Sequence, residues 1–107
     1  MELYVKDIEK IWSSGGASLV AGKNGIMRKV ESYDMMEQPK MKEWLREHVL
    51  LITTGYAIRN DKEALLELIQ NMHEANCSAL AIKTRFFDDF PQEALQLADQ
   101  LALPLFP

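Results

Sequence analysis

Residues 50–61 read LLITTGYAIRND, an apolar run that gives way to two threonines, a glycine and a tyrosine before a helix begins. With Val49 the run becomes VLLIT, a continuous apolar stretch of the kind found in strands covered on both faces. NDKE, residues 60–63, is a capping-box-like helix start, with Asn60 as the cap and Glu63 three positions later. Leu65, Leu68, Ile69, Met72 and Ala75 follow as an apolar stripe at helical spacing. SALAIK, residues 78–83, reads as the next strand, and Pro91 opens a further helix with Ala94, Leu95, Ala98 and Leu101 on one face. LPLF, residues 103–106, is a last short strand. Strand, helix, strand, helix, strand is the order of a parallel sheet with crossover helices.

The first half is built differently. Val5, Ile8, Ile11 and Trp12 recur at helical spacing, which predicts a short amphipathic helix over residues 6–12, broken by SSGG at 13–16. ASLVAG, residues 17–22, reads as a strand, KNG at 23–25 supplies an Asn-Gly turn, and the return strand covers 28–35. Pro39 closes that segment. KMKEWLRE, residues 40–47, predicts one or two helical turns with Met41, Trp44 and Leu45 facing inward. The expected fold is therefore α/β: a small, mostly parallel sheet with crossover helices, preceded by a helix and a β-hairpin. At 107 residues there is room for one domain, residues 1–107, around one core. The chain stops at Pro107, directly after an apolar strand, where complete domains tend to end in polar residues. A fragment from the N-terminal part of a longer protein is expected.

Composition narrows the function classes. Hydrophobic residues make up 48% and charged residues 26%, ordinary for a soluble globular domain. No apolar run approaches the ~18 residues needed to span a bilayer, and the acidic first residues are unlike a signal peptide. The single cysteine, Cys77, has no internal partner for a disulfide, in keeping with a reducing compartment. The expected location is cytoplasmic, with no membrane partner. Twelve basic against sixteen acidic residues give a net charge of -4, and the bases are scattered. Phosphate contacts supply most non-specific DNA affinity, so no direct DNA contact by this domain is expected.

The turn after Thr54 is not a phosphate loop. It has one glycine, and no lysine until Lys62, where GxxxxGK[ST] would need several backbone N–H groups and a lysine around the phosphates. Position argues the other way, because open parallel sheets bind ligands beyond the carboxyl ends of their strands. Thr53, Thr54, Gly55 and Tyr56 lie at one such end; Lys83 and Arg85 lie at the next. These six are the candidate ligand-binding residues, suited to a small polar or anionic metabolite. The competing reading is that Gly55 makes the turn, the threonines satisfy backbone groups and Tyr56 packs.

Other chemistry is sparse. His48 and His73 have no partner at metal-ligand spacing, so no metal is assigned. Cys77, at a helix-to-strand connection, reads as a packing residue. Asp88 and Asp89, just before Pro91, suit a helix N-terminus. Met35, Met36 and Met41 could make an adaptable surface, although core filling is the commoner use. Phe86, Phe87 and Phe90 in one loop either cover the core or form an interaction surface, for instance in a homodimer. No nucleophile, base and oxyanion hole assemble, and no cofactor motif is present, so catalytic residues and cofactors are assigned as none and the chain does not read as an enzyme.

VKDIEKIW, LVAGKNGIMRKV, MEQP, WLREHVLLITTGYAIRND, ALAIK and FPQEALQLADQLALPLF together resemble the N-terminal domain of the purine catabolism regulator (PucR-like) family. The resemblance covers residues 3–106, and LLITTGYA followed by a helix and AIK is its most specific part. It implies a bacterial, cytoplasmic transcriptional regulator in which this domain receives a signal, such as a purine-degradation metabolite. It also implies further partners in the same chain, a GGDEF-like region and a C-terminal helix-turn-helix. Thr53, Thr54, Gly55, Tyr56 and Lys83 match the family pattern. One departure stands out: the family often has Gly-Gly-Glu before the central strand, where this chain has Glu47, His48 and Val49. The resemblance leaves two readings, a metabolite-sensing domain or an interaction and dimerisation module without a small-molecule ligand.

Overall fold

The computed structural model describes residues 2–16, 18–37, 42–83 and 90–107. In chain order these form β1 (Leu3–Tyr4), α1 (Val5–Ser13), β2 (Lys29–Val30), β3 (Ser32–Met35), β4 (Val49–Thr53), α2 (Lys62–Glu74), β5 (Ala79–Ile82), α3 (Gln92–Leu101) and β6 (Leu105–Phe106). The last four strands make one parallel sheet in the order β3-β4-β5-β6. The mixed α/β architecture is the one expected.

Alternation along the central strands builds two cores. Val49, Leu51, Leu80, Ile82 and Leu105 pack with α2 and α3 through Leu65, Leu68, Ile69, Met72, Ala94 and Ala98. Leu50, Ala79, Ala81 and Phe106 meet Val5, Ile8 and Trp12 of α1 on the opposite face. Helices thus cover both faces, which is why VLLIT carries no polar alternation. Trp12 meets Phe106 edge to face, with ring centroids 4.8 Å apart. Asp61, not Asn60, caps α2: its Oδ1 accepts the Ala64 N–H at 3.0 Å.

The antiparallel pair differs from the expected hairpin. β2 pairs with β1, not with residues 18–22. KNG forms a 3-10 turn, Lys23–Gly25, with Gly22 in the left-handed region at φ 75°. A Cβ on Gly25 would lie 1.9 Å from the Ala102 carbonyl oxygen, so this segment is pressed onto the end of α3 and cannot serve as an open hairpin tip. Val20 and Ala21 instead close the outer edge of β6: Leu105 N–H donates to the Ala21 carbonyl, and Val20 N–H donates to the Leu105 carbonyl, each at 3.0 Å. The last strand is consequently buried and unavailable as an interaction edge. Residues 42–44 form a single 3-10 turn in which Leu45 packs on the core while Trp44 stays 54% exposed, against the expected inward Trp44. So short a turn cannot present both side chains to one face. Met41 lies outside the described residues.

Candidate functional site

β4 ends at Thr53, and Gly55 takes φ 76° to turn the chain into a 3-10 segment, Tyr56–Ile58. The threonine hydroxyls organise that turn. Thr53 Oγ1 accepts the Gly55 N–H at 3.1 Å, and Thr54 Oγ1 accepts the Tyr56 N–H at 3.3 Å. Both hydroxyls then donate to one carboxylate that the sequence reading passed over. Glu37 Oε1 accepts Thr54 N–H at 2.6 Å and Thr53 Oγ1 at 3.3 Å, while Oε2 accepts Thr54 Oγ1 at 2.5 Å. Partial burial pushes the Glu37 carboxyl up, but the hydrogen bonds from Thr54 and Thr53 outweigh it and hold the group below its ordinary value. Glu37 belongs to MEQP, directly after β3, and the parallel pairing of β3 with β4, in place of the expected hairpin, brings it to the same carboxyl end.

Of the six expected site residues, Thr53, Thr54, Gly55 and Tyr56 stand together. Tyr56 is half exposed, with the Arg59 guanidinium 3.7 Å from its ring centroid and Arg59 Nη1 donating to the Tyr56 carbonyl at 2.6 Å. Lys83 reaches the cluster only through its backbone, donating its N–H to the Thr53 carbonyl at 2.9 Å. Its ammonium lies across the sheet, 4.2 Å from the Trp12 ring centroid, where burial lowers its pKa. The reason is pleat alternation: Ile82 faces α2 and α3, so Lys83 points to the α1 side. Arg85, Phe86 and Phe87 lie outside the described residues. Phe90 packs against the α2/α3 core. Met35 is 74% exposed and is not a core filler, whereas Met36 packs on the core.

An open groove of about 510 Å³, lined by Asp34, Met36, Glu43, Trp44 and Arg46, runs beside β3. It shares no lining residue with the threonine turn, but Met36 is followed directly by Glu37. At the opposite end of the sheet, Glu31, Glu47 and His48 each bring one polar atom to within 4.8 Å of one another. His48 Nε2 is 3.2 Å from Glu47 and 3.6 Å from Glu31, an ion-pair arrangement when the imidazole is protonated. His48 has φ 62°, a conformation glycine adopts freely. Glu47, His48 and Val49 thus sit at the amino end of the sheet, away from the Glu37 cluster.

Residues 8–107 match the purine catabolism regulatory protein-like family, PucR. The chain belongs to that family. It is 38% identical over 104 residues to the Purine catabolism regulatory protein of Bacillus subtilis (strain 168), covering 96% of this chain and 20% of that protein. The PucR-family chain therefore spans about a fifth of this relative's length. No solved structure matches it. Among the described residues, no helix is long and apolar enough to cross a membrane.

Proposed function

We propose that this PucR-family chain is the signal-receiving domain of a bacterial transcriptional regulator, and that it takes a small metabolite linked to purine catabolism at the Glu37–Thr54 cluster. The observation that carries the reading is an ionised carboxylate held by three donors at the carboxyl end of a parallel sheet. A carboxylate offers about four acceptor positions, so one remains for a ligand N–H. Purines and their ureide breakdown products are rich in N–H donors, and the name of the Bacillus subtilis relative ties this family to purine catabolism. The proposed contacts are Glu37, Thr53, Thr54, Gly55 and Tyr56, with Arg59 alongside. The domain acts by binding and not by turnover: a carboxylate with a lowered pKa is a poor proton donor, and the threonine hydroxyls are engaged as its donors. GGDEF-like and helix-turn-helix regions elsewhere in the regulator then carry the signal to DNA.

Thermal unfolding against a panel of purines, allantoin and related ureides tests this. A ligand at 100 times its dissociation constant adds about 2.7 kcal/mol. For a chain of this size that raises Tm by roughly 10–20 °C. The saturable shift should vanish in Glu37→Gln and weaken in Thr54→Val, with each variant still folded and its unliganded Tm lowered by no more than roughly 8 °C. A flat panel for both this chain and the full-length regulator defeats the reading, as does a shift that both variants retain.

A further inference from the structure

Glu31, Glu47 and His48 gather at the amino end of the parallel sheet, remote from the Glu37 cluster. Glu31 is far from the other two in sequence and arrives through the strand register: Ser32 pairs with Val49, so the residues leading into β3 and β4 lie side by side. The backbone fixes that meeting. Glu31 N–H donates to the His48 carbonyl and His48 N–H to the Asn76 carbonyl, each at 2.9 Å. The His48 side chain is only 25% exposed, and its Nε2 stands 3.2 Å from Glu47 Oε1 and 3.6 Å from Glu31 Oε1. Hydrogen bonding does not explain the group, because 3.6 Å is too long and one imidazole N–H cannot point at two carboxylates. Among the described residues, no lysine or arginine makes an ion pair with Glu31 or Glu47. With the imidazole neutral, two carboxylates therefore share the place with no cation between them, an arrangement that like-charge repulsion opposes.

We propose that Glu31, Glu47 and His48 bind a zinc ion, through His48 Nε2 and one oxygen of each carboxylate. Donor type and spacing together select the ion. Zinc bonds of about 2.0–2.1 Å to nitrogen and oxygen, at tetrahedral angles, put neighbouring donors roughly 3.3–3.4 Å apart. The two His48 contacts lie on either side of that value. The carboxylate oxygens, within 4.8 Å of each other, close the third edge by small rotations of two exposed side chains. An imidazole among three ligands disfavours magnesium and calcium, which prefer oxygen donors throughout. Three protein ligands leave a fourth position for water. Zinc cancels the charge of the two carboxylates and ties the approach to β3 to the approach to β4. None of these residues belongs to the Glu37 cluster, so this inference does not rest on the metabolite reading.

Calorimetric titration of the EDTA-treated 107-residue chain with zinc chloride should show one saturable site, with a saturable rise in Tm. Co2+ in its place should give the visible absorption of a four-coordinate nitrogen–oxygen site. His48→Gly removes the imidazole and suits the left-handed backbone at that position, so the metal-free variant should fold. It should bind zinc about 100-fold or more weakly, since even partners outside the ligand shell are worth roughly 10- to 100-fold. Glu31→Gln and Glu47→Gln should each weaken binding roughly 10-fold or more. Magnesium should neither bind nor compete. The absence of saturable binding up to about 1 mM zinc overturns the proposal. So does binding that His48→Gly and Glu31→Gln both retain, which would mean an adventitious ion only. Equal affinity for magnesium would mean an unselective acidic patch, and would likewise overturn it.

Discussion

The two ends of the sheet solve the same problem, unsatisfied polar groups where strands and helices stop, in opposite ways. At the amino end, Arg28 reaches under the C-termini of α2 and α3. Its guanidinium donates to the carbonyls of Ala102 at 2.8 Å, Cys77 at 2.9 Å and Leu101 at 3.0 Å, and lies 3.2 Å from His73 Nδ1. A cation at two helix C-termini complements both dipoles. Gly22 N–H donates to Asp99 at 2.7 Å, and Ser78 Oγ donates to the Lys29 carbonyl. At the carboxyl end the knot is small and exposed: Glu37, Thr54 and Tyr56 are open to solvent, and Lys62 bridges to Glu93 at 2.6 Å across the surface. The fold concentrates its long-range, partly buried hydrogen bonds at one end and leaves the other more accessible. Stability and recognition are thereby separated along the strand axis, and substitutions should separate them too.

The amino end should be the easier to break. Gly22→Ala places a Cβ 1.9 Å from the Leu103 carbonyl oxygen at a residue with φ 75°, so the backbone itself must move. A loss of roughly 3–5 kcal/mol is expected in urea unfolding. A midpoint near the parent's would mean that the 22–28 segment is not pinned to α3. Arg28→Met keeps most of the stem's packing but strands three carbonyls, and should cost about 2–3 kcal/mol. Arg28→Lys should recover little of it, because one ammonium cannot reproduce a planar fork spread over two helix ends. Cys77 reports on the same region. Burial pushes its thiol up to about 11, against smaller opposing effects from the Arg46 carbonyl contact and Arg28. At pH 8 it should react with thiol reagents at least about 100-fold more slowly in the native chain than in the unfolded one. Arg28→Met should narrow that gap; equal rates in native parent and unfolded chain would contradict the burial.

How far the sequence revealed these two ends follows from the physics of each. The parallel core was legible because apolar runs of strand length alternate with helical stripes, and each reads locally. The positive-φ turn at Gly55 was legible for the same reason. The amino-end knot was not: Arg28 bonds residues 45 to 74 positions away, and no local pattern marks an arginine that will cap two helices. The KNG segment misled because Asn-Gly signals a tight turn without saying whether the flanking strands pair with each other. Here a two-residue strand found Leu3–Tyr4 instead, and Ala21 found Leu105. At the carboxyl end, strand position brought out the threonines. Glu37 was missed because the parallel pairing of β3 with β4, which brings it there, depends on the hairpin being absent. Lys83 was placed at the correct end but on the opposite face, one pleat step beyond Ile82.

The smallest effect tests the carboxyl end without any ligand. The hydrogen bonds from Thr54 and Thr53 lower the Glu37 pKa in the folded chain despite partial burial, so Glu37 contributes stability that is present above its unfolded value, about 4.3, and lost as pH falls through the folded one. The group is largely exposed, so the contribution should stay at or below about 1 kcal/mol. Acid unfolding of the parent alone cannot isolate it, because Glu2 and Glu93 are shifted in the same direction by Tyr4 and Lys62. The difference between parent and Glu37→Gln can, since the other carboxylates cancel. That difference should be constant above the ordinary carboxylate range and shrink toward zero as pH falls through and below it. A difference that persists into acid would mean that the Glu37→Gln substitution destabilises the chain for reasons other than charge. One that is absent at neutral pH would mean that the carboxylate does not hold the threonine turn, and the division of labour between the two ends would lose its carboxyl half.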